Sequence, residues 1–297
     1  MNPVDMNRDF RIVFMGTPDF AVPSLDILCK NNFNVCAVVT VPDKRAGRGL
    51  KIKTSAIKEF ALSKNIPVLQ PDNLYSTQFA NELKNLNPTL NIVVAFKILP
   101  KEIFSLPQMG SVNLHASLLP QYRGAAPMNW AIINGEKITG LTTFLLDENI
   151  DTGKILLSEN VEIGNEENIG ELHDRMKFIG AELLLKTVNA LKNNDFIAKE
   201  QSVFLKDVSV LKKAPRIFRQ DCKIDWNNNC LEIYNKIRGL SPYPAAFTEL
   251  LLDNDKSICL KIFKASYQIV DNKYVAGNIY TDNNTFLGVG TNDGIVY

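Results

Sequence analysis

Histidine and cysteine are scarce in this sequence, which limits the metal sites it can form. The 297 residues include 2 His and 5 Cys, and no two cysteines have the spacing Cys-x-x-Cys. Structural zinc sites use four such ligands, usually in closely spaced pairs. We therefore expect no metal site. We also expect the odd number of cysteines, which lie in apolar stretches such as NVCAVVT, to be reduced core thiols.

Long apolar runs are absent as well. No run reaches the roughly 18 residues that read as a membrane-spanning helix, and the opening MNPVDMNRDF lacks the apolar core of a signal peptide. These features predict a cytoplasmic chain with no membrane partner and a flexible tail at residues 1–9. The chain is 45% hydrophobic, enough for real cores, and its length favours two domains at roughly 100–200 residues each.

Net charge is almost absent, with 33 Lys and Arg against 32 Asp and Glu. The overall charge therefore indicates no particular partner. Residues 41–53 nevertheless carry five basic side chains and one acidic one, residues 211–240 carry seven and three, and residues 147–174 carry one and nine. A nucleic acid would prefer the first two regions, although charge runs of this kind are more often solvated faces.

Strand-like and helix-like segments alternate over the first two thirds of the chain. Apolar runs typical of buried parallel strands occur at residues 11–16, 34–40, 66–70, 90–96, 110–117 and 140–147. Helix-like segments occur at residues 21–32, 54–65, 76–87 and 168–192. Thr54 and Ser76 are the expected N-caps of the second and third helices. The alternation predicts an α/β fold with a doubly wound, mostly parallel sheet in a domain at residues 10–193.

The pattern changes after residue 193. Residues 194–212 show no sustained periodicity and predict a linker. Short strand-like stretches separated by Asn, Asp and Gly follow, including AAFTELLL, SICLKIFKASYQI, GNIYT and TFLGVGT. They predict a smaller second domain at residues 213–297, an OB-like β-barrel.

One of the two histidines lies at the end of a predicted strand, in NLHASLLPQYRGAAP. Asn113 and His115 are two residues apart, so alternation along the strand places them on one face. Ligands of doubly wound sheets bind beyond the carboxyl ends of the strands. Two donors aimed at one point there can stabilise an oxyanion. The alternative is that the pair satisfies backbone groups of the following loop.

Asp151 follows the next predicted strand, in DENIDTGKIL. If the two strands are neighbours, its carboxylate can reach His115, orient the imidazole and favour its protonated form. No Gly-x-Ser-x-Gly motif is present, which favours direct transfer of a group to an incoming acceptor. A single Asp-Thr-Gly in an α/β domain argues against an aspartic protease. GTPDF, at residues 16–20, is neither a dinucleotide fingerprint nor a P-loop.

The sequence contains five segments in a characteristic order: GTPDFAVPSL, PDKRAGRG, NLHASLLPQYRGAAP, DENIDTGKIL and IDW…RGLSPYP. Together they resemble the methionyl-tRNA formyltransferase family, from residue 11 to about residue 247. The resemblance implies a Rossmann-like formyltransferase domain followed by a tRNA-binding barrel. It also implies formyl transfer from 10-formyltetrahydrofolate, a co-substrate and not a tightly bound cofactor, to the α-amine of initiator methionyl-tRNA for initiation of translation, by a monomer.

The resemblance implies roles for individual residues too. Asn113, His115 and Asp151 match catalytic positions of the family. The folate-binding loop is matched by Ser117, Leu118, Leu119 and Pro120. The basic loop at residues 42–51 matches the element that contacts the tRNA acceptor stem, and its basic residues are Lys44, Arg45, Arg48 and Lys51.

Three alternatives share parts of this pattern. A 10-formyltetrahydrofolate-dependent formyltransferase for a small amine would keep Asn113, His115 and Asp151 but should lack the basic loop. A hydrolase would pass the formyl group to water. A non-catalytic RNA-binding module would keep the basic regions and need none of the three residues. His173, beside the apolar stripe of the long helix, is expected to be a surface residue with no role.

Overall fold

The computed structural model describes residues 10–46, 51–205, 210–252, 256–270 and 273–297. The tail predicted at residues 1–9 lies outside these ranges. Contacts divide the chain into unit 1, of residues 1–123, 140–160 and 174–211, and unit 2, of residues 124–139, 161–173 and 212–297. Each unit is assembled from several segments, so the predicted continuous domains at residues 10–193 and 213–297 stay a prediction.

The secondary structure follows the chain in this order. The strands are β1 (Arg11–Gly16), β2 (Asn34–Val39), β3 (Lys44–Ala46), β4 (Lys51–Lys53), β5 (Val68–Leu69), β6 (Leu90–Val94), β7 (Ser111–His115), β8 (Arg123–Gly124), β9 (Ile138–Leu145), β10 (Ile155–Glu162), β11 (Lys213–Ala214), β12 (Ala246–Leu251), β13 (Ser257–Ile262), β14 (Tyr267–Ile269), β15 (Ile279–Thr281), β16 (Leu287–Gly290) and β17 (Gly294–Val296). The helices are α1 (Val22–Lys30), α2 (Ala56–Ser63), α3 (Thr77–Asn85), α4 (Lys101–Phe104), α5 (Pro127–Ile133), α6 (Ile169–Lys192) and α7 (Cys230–Leu240). Short 3₁₀ helices lie at Asp19–Ala21, Gln201–Leu205 and Arg219–Cys222. Among the described residues, no helix combines the length and the apolar character needed to cross a bilayer.

A seven-stranded sheet dominates unit 1, in the order β10-β9-β7-β6-β1-β2-β5. The five strands from β5 to β7 are parallel, and β9 is antiparallel to β7. The predicted mostly parallel, doubly wound sheet is therefore confirmed. The order of the strands along the chain reverses between β1 and β6, and ligands of such sheets bind beyond the carboxyl ends at that switch point. Strand β7 lies next to β6 and ends there at His115.

The apolar runs of the sequence explain why this sheet is buried. All five residues of β6 are buried, and Phe14 and Met15 of β1 are fully inaccessible. One face of the sheet packs with Phe79 and Leu83 of α3. On α6, a Cβ atom at Gly180 would lie 2.9 Å from Cδ2 of Leu114 in β7. A glycine at this position lets the helix approach β7 closely, which helps to fix the strand that carries His115.

Antiparallel strands characterise unit 2, as expected for the second domain. In the described residues they form a two-stranded sheet of β12 and β13 and a four-stranded sheet in the order β14-β17-β16-β15. Helix α7 begins after Asn229, whose side chain accepts a hydrogen bond from the backbone N–H of Glu232. Its buried Ile233 and Ile237 share a core with Val296 of β17.

The segment predicted as a linker at residues 194–212 has more structure than expected. Lys199 and Ile155 exchange two backbone hydrogen bonds, each 2.8 Å long, and the 3₁₀ helix Gln201–Leu205 follows directly. Residues 206–209 lie outside the described part of the chain. Single backbone pairings leave no periodic signal in the sequence, which is why this structure was not expected; the linker itself stays a prediction.

The five cysteines are all free thiols, as expected. Burial raises the pKa of the Cys222 and Cys230 thiols, which keeps them protonated. Cys259 differs from the expectation of a core thiol, because it is exposed on β13.

The N-cap of α2 is Ser55, not Thr54 as predicted. The Ser55 hydroxyl accepts a hydrogen bond of 3.2 Å from the backbone N–H of Lys58 and lies 2.8 Å from Oγ1 of Thr40. The Thr54 hydroxyl instead bonds the Glu59 carboxylate at the surface. The cap predicted at Ser76 for α3 is confirmed by its bond from the N–H of Phe79.

This difference predicts different costs for two neighbouring substitutions. Ser55→Ala removes a cap and is expected to lower the free energy of unfolding by about 1 kcal/mol. Thr54→Ala, the matched control, removes only a surface hydrogen bond and should cost less than about 0.5 kcal/mol. Urea unfolding followed by circular dichroism measures both values. Equal losses, or a larger loss for Thr54→Ala, would contradict the assignment of the cap.

Candidate active site

The carboxyl end of β7 carries Asn113 and His115 on the same face of the sheet. In the register of the sheet, Asn113 lies beside Val93 of β6 and Phe144 of β9. The His115 side chain is nearly buried, with the residue 6% exposed, and Asn113 is half-buried. The rings of His115 and Phe144 make an edge-to-face contact, with their centroids 6.5 Å apart.

A main-chain carbonyl fixes the orientation of the His115 ring. Nε2 lies 2.9 Å from the carbonyl oxygen of the buried Tyr122. A carbonyl oxygen can only accept a hydrogen bond, so Nε2 carries a hydrogen and donates it. The backbone of Tyr122 has φ of 59°, in the left-handed region that few non-glycine residues adopt. This interaction leaves Nδ1 as the ring nitrogen that faces Asp151.

Asp151 places a carboxylate beside the other side of the ring. Its Oδ2 lies 3.8 Å from Nδ1 of His115, and the two side chains are 13% and 7% exposed. The distance is within the range of an ion pair but longer than a hydrogen bond. The Asp151 carboxylate therefore lies beside Nδ1 without a direct hydrogen bond to it.

The path that brings Asp151 to His115 differs from the one the sequence suggested. The strands β7 and β9 are neighbours, as required, but they run in opposite directions. The last residue of β9, Leu145, lies opposite Val112, which is three residues before His115 in β7. At about 3.3 Å per residue this separates the end of β9 from His115 by roughly 10 Å along the strand. The loop at residues 146–154 must therefore fold back to deliver Asp151.

Local hydrogen bonds in DENIDTG produce this fold-back. The Thr152 hydroxyl donates to the Asp147 carboxylate, at 2.7 and 2.9 Å from its two oxygens, and the backbone N–H of Asn149 donates to Oδ1 of Asp147 at 3.0 Å. A Cβ at Gly153 would lie 1.7 Å from the carbonyl oxygen of Leu145, so only glycine fits there. Asp151 has φ of 55°, a conformation that the surrounding contacts must maintain.

Two residues that sequence analysis did not identify complete this arrangement. Gln201, 4% exposed, donates through Nε2 to the carbonyl oxygens of Asp151 and Gly153, both at 2.9 Å. Its Oε1 accepts from Nε and Nη2 of Arg123 at 3.1 and 2.6 Å. Arg123 is part of the motif NLHASLLPQYRGAAP, and this motif could have pointed to it. Gln201 lies in an aperiodic segment that carries no signal.

The loop after His115 is held by buried hydrogen bonds. The Ser117 hydroxyl donates to the carbonyl oxygen of Gln121 at 2.7 Å. Oγ1 of Thr142 donates to the carbonyl oxygen of Ser117 at 2.7 Å and accepts from the N–H of Leu119 at 3.2 Å. The polar groups of this loop are therefore engaged within the protein, which makes its shape rigid.

The side chains of the same loop point largely into the protein. Leu119 packs with Phe144 and Ile155 in a small core, Pro120 is buried, and Leu118 is half-buried. A ligand at this loop would meet main-chain atoms and Leu118, and not the Ser117 hydroxyl. This is compatible with the wall of a pocket for a flat ring.

The predicted RNA-contact residues fall on a short antiparallel hairpin, which we call the basic hairpin. Lys44 and Arg45 lie in β3, and Lys51 lies in β4, with Arg45 opposite Ile52. Lys44 is exposed. Arg48 lies outside the described residues. The sequence predicted a loop at residues 42–51, whereas residues 44–46 and 51–53 pair as strands.

A polar network closes the base of the basic hairpin. Nζ of Lys58 lies 2.6 Å from Oδ2 of Asp43 and 2.7 Å from Oε1 of Gln70, and Nε2 of Gln70 donates to Oδ1 of Asp43 at 2.9 Å. Hydrogen bonds from Lys58 and Gln70 hold the pKa of Asp43 below its usual value. Asp43 is the only acid in residues 41–53. Its carboxylate pairs with Lys58 of α2, outside the hairpin.

Two family models match the chain. The model described as formyl transferase matches residues 10–188, and the model described as formyl transferase, C-terminal domain, matches residues 216–297. The methionyl-tRNA formyltransferase of Parabacteroides distasonis is 46% identical over 290 residues, covering 97% of this chain and 90% of that protein. The methionyl-tRNA formyltransferase of Flavobacterium johnsoniae is 49% identical over 269 residues, covering 91% and 84%.

Two solved structures have a similar fold. The N-formyltransferase from Helicobacter canadensis, in complex with folinic acid and dTDP-3-aminofucose, has a TM-score of 0.68 at 22% identity, covering 96% of this chain and 97% of that one. HypX from Aquifex aeolicus, in complex with tetrahydrofolic acid, has a TM-score of 0.60 at 20% identity, covering 96% of this chain and 43% of that one. At these identities the likeness shows the fold alone.

Proposed function

We infer that this chain, which belongs to the formyl transferase family, transfers the formyl group of 10-formyltetrahydrofolate to the α-amino group of methionyl-tRNA. The observation that carries this proposal is identity of 46% over 97% of the chain to a protein of that activity. The basic hairpin is a second observation in favour of a tRNA as the acceptor. We further propose that the enzyme acts in the initiation of translation. Its location is then the cytoplasm, and its partner is the initiator tRNA.

The chemistry needs stabilisation of charge on the formyl oxygen. The neutral amine attacks the formyl carbon, and negative charge grows on the oxygen as the new C–N bond forms. Asn113 and His115 lie on one face of β7 and donate to that oxygen. Because Nε2–H of His115 is directed to the Tyr122 carbonyl at 2.9 Å, Nδ1–H is the donor. The distance of 3.8 Å between Nδ1 and Asp151 leaves that hydrogen available to the substrate.

Proton transfers then complete the exchange. Collapse of the intermediate breaks the bond between the formyl carbon and N10 of the folate. N10 leaves with a proton from His115, and the attacking amine gives up a proton to Asp151. One proton is lost and one is gained, so the reaction needs no external acid or base. No covalent intermediate with the protein is required.

The two substrates use different parts of unit 1. The rigid loop formed by Ser117, Leu118, Leu119 and Pro120 supports the folate ring with main-chain atoms and the Leu118 side chain. The tRNA acceptor stem binds to Lys44, Arg45, Arg48 and Lys51, whose charges attract its phosphates.

The acceptor is tested directly by comparing methionyl-tRNA, free methionine and glycinamide ribonucleotide with 10-formyltetrahydrofolate as donor. We expect kcat/KM for methionyl-tRNA to exceed that for either small amine by at least about 100-fold, because binding energy from the tRNA is used in the transition state. Equal rates with a small amine would identify the enzyme as a small-amine formyltransferase. Release of formate that is independent of any acceptor would identify a hydrolase.

The three proposed catalytic residues predict a specific kinetic pattern. His115→Ala, Asn113→Ala and Asp151→Asn should each lower kcat by roughly 10²–10³-fold, with KM for the folate nearly unchanged, because they act on transition-state charge. His173→Ala is the matched control for the loss of an imidazole and should leave kcat within about twofold. Steady-state kinetics measure all four. A His115 or Asn113 variant that keeps most of its turnover would refute the oxyanion assignment.

The basic hairpin predicts a change that depends on salt. Arg48→Ala should raise KM for methionyl-tRNA and reduce the slope of log kcat/KM against log salt concentration by up to about 1, the contribution of one phosphate contact. It should leave KM for the folate unchanged. Lys186→Ala removes an exposed base from α6 and should alter neither value. If Arg48→Ala changes only the folate KM, or nothing, the hairpin does not bind RNA.

A further inference from the structure

We propose that Gln201 is a positioning residue for the transfer reaction. It holds the turn at residues 151–153 so that the Asp151 carboxylate faces His115, and Arg123 fixes the orientation of its amide. This inference rests on the proposed function, because it gives Gln201 its role through Asp151. Gln201 contacts no atom of the reacting groups, so its effect on catalysis is indirect.

The amide of Gln201 makes all four hydrogen bonds that it can make. Nε2 donates both of its hydrogens, to the carbonyl oxygens of Asp151 and Gly153. Oε1 accepts two N–H groups of Arg123. Carbonyl oxygens only accept and a guanidinium only donates, so the amide has one possible orientation. Glutamate or asparagine cannot reproduce this set, because the first lacks the donors and the second is shorter by one methylene group.

The contacts of Gln201 fall where the turn most needs support. Asp151 has φ of 55°, and the two carbonyls held by Nε2 lie on either side of Thr152. The bond to Gly153 is buried. Without the two donors, both carbonyl oxygens lose this partner, and that of Gly153 loses it away from water, which is unfavourable. The native conformation of the turn is then less stable, and the Asp151 side chain moves when the turn rearranges.

The segment that carries Gln201 is attached to the sheet by backbone hydrogen bonds. Lys199, two residues earlier, exchanges two backbone hydrogen bonds of 2.8 Å with Ile155 at the start of β10. This pairing ties the segment to the strand that follows the turn. Gln201 therefore braces the loop at residues 146–154 from a segment that is fixed to the sheet.

The distance between Asp151 and His115 makes the site sensitive to this support. Oδ2 lies 3.8 Å from Nδ1, already beyond hydrogen-bond length. A displacement of about 1 Å in a catalytic group can cost on the order of 100-fold in rate. The substrate contacts of the proposed function lie elsewhere in unit 1, at the Ser117–Leu118 part of the loop and at the basic hairpin. Loss of Gln201 should therefore appear in kcat and not in KM.

Two variants separate the loss of the Gln201 donors from the effect of an added charge. Gln201→Glu keeps an acceptor for Arg123 and loses both donors, and Gln201→Met loses all four bonds without adding charge. We expect both to lower kcat by about 10–100-fold, with both KM values within about twofold. Gln78→Glu makes the same chemical change at an exposed position of α3 and should leave kcat unchanged. Full activity in Gln201→Glu would overturn the proposal, whatever Gln201→Met does.

A double-mutant cycle tests whether Gln201 acts through Asp151. In an Asp151→Asn background, Gln201→Glu should lower kcat by less than about twofold further, because the group it positions is already disabled. Losses that multiply would show that Gln201 supports the fold in general and would overturn the proposal. Thermal unfolding of each variant shows whether it is folded, and the cycle needs only Gln201→Glu if Gln201→Met does not fold.

NMR provides a readout that does not depend on activity. The chain has 2 His, so the ring signals of His115 are assigned by comparison with a His173→Gln variant. We expect these signals to shift in Gln201→Glu and Gln201→Met, as in Asp151→Asn, and to stay unchanged in Gln78→Glu. Unmoved signals in both Gln201 variants would overturn the proposal. A wild-type protein that does not formylate methionyl-tRNA would refute the proposed function, and the same spectra would still decide the role of Gln201.

Discussion

The position of Asp151 depends on a reversal of the chain that the sheet does not provide. Strand β9 is antiparallel to β7 and carries the chain about 10 Å away from His115. Three features of DENIDTG reverse the chain. The Thr152 hydroxyl bonds the Asp147 carboxylate, Gly153 packs against the Leu145 carbonyl, and Asp151 adopts φ of 55°. The candidate site therefore combines two parts. The strand end is held by the sheet, and the turn that carries Asp151 is held by its own hydrogen bonds.

The parallel part of the sheet relates the proposed catalytic residues to the basic hairpin. Strands β2 and β7 belong to the same parallel set, so their carboxyl ends lie at the same edge. The basic hairpin follows β2, and His115 ends β7. A polyanion attracted to the hairpin thus arrives at the edge of the sheet that carries His115.

The same three side chains suit several acceptors of a formyl group. In the proposed mechanism Asn113, His115 and Asp151 act on the formyl oxygen, on N10 and on the attacking atom, none of which identifies the rest of the acceptor. Water, a small amine and an aminoacyl-tRNA would meet the same groups. Discrimination must therefore come from binding energy outside the trio, which the proposed function assigns to the basic hairpin.

The sequence by itself determined what is periodic or local. Alternation placed Asn113 and His115 on one face, apolar runs specified the parallel strands, and Ser76 marked a helix start, because each depends on neighbours within a few residues. Tertiary structure alone decided that the Tyr122 carbonyl holds His115 and that β9 runs antiparallel. It also decided that Gln201 supports a turn 50 residues earlier. These contacts depend on the paths of loops, and a path set by single hydrogen bonds between distant residues leaves no repeating pattern in the sequence.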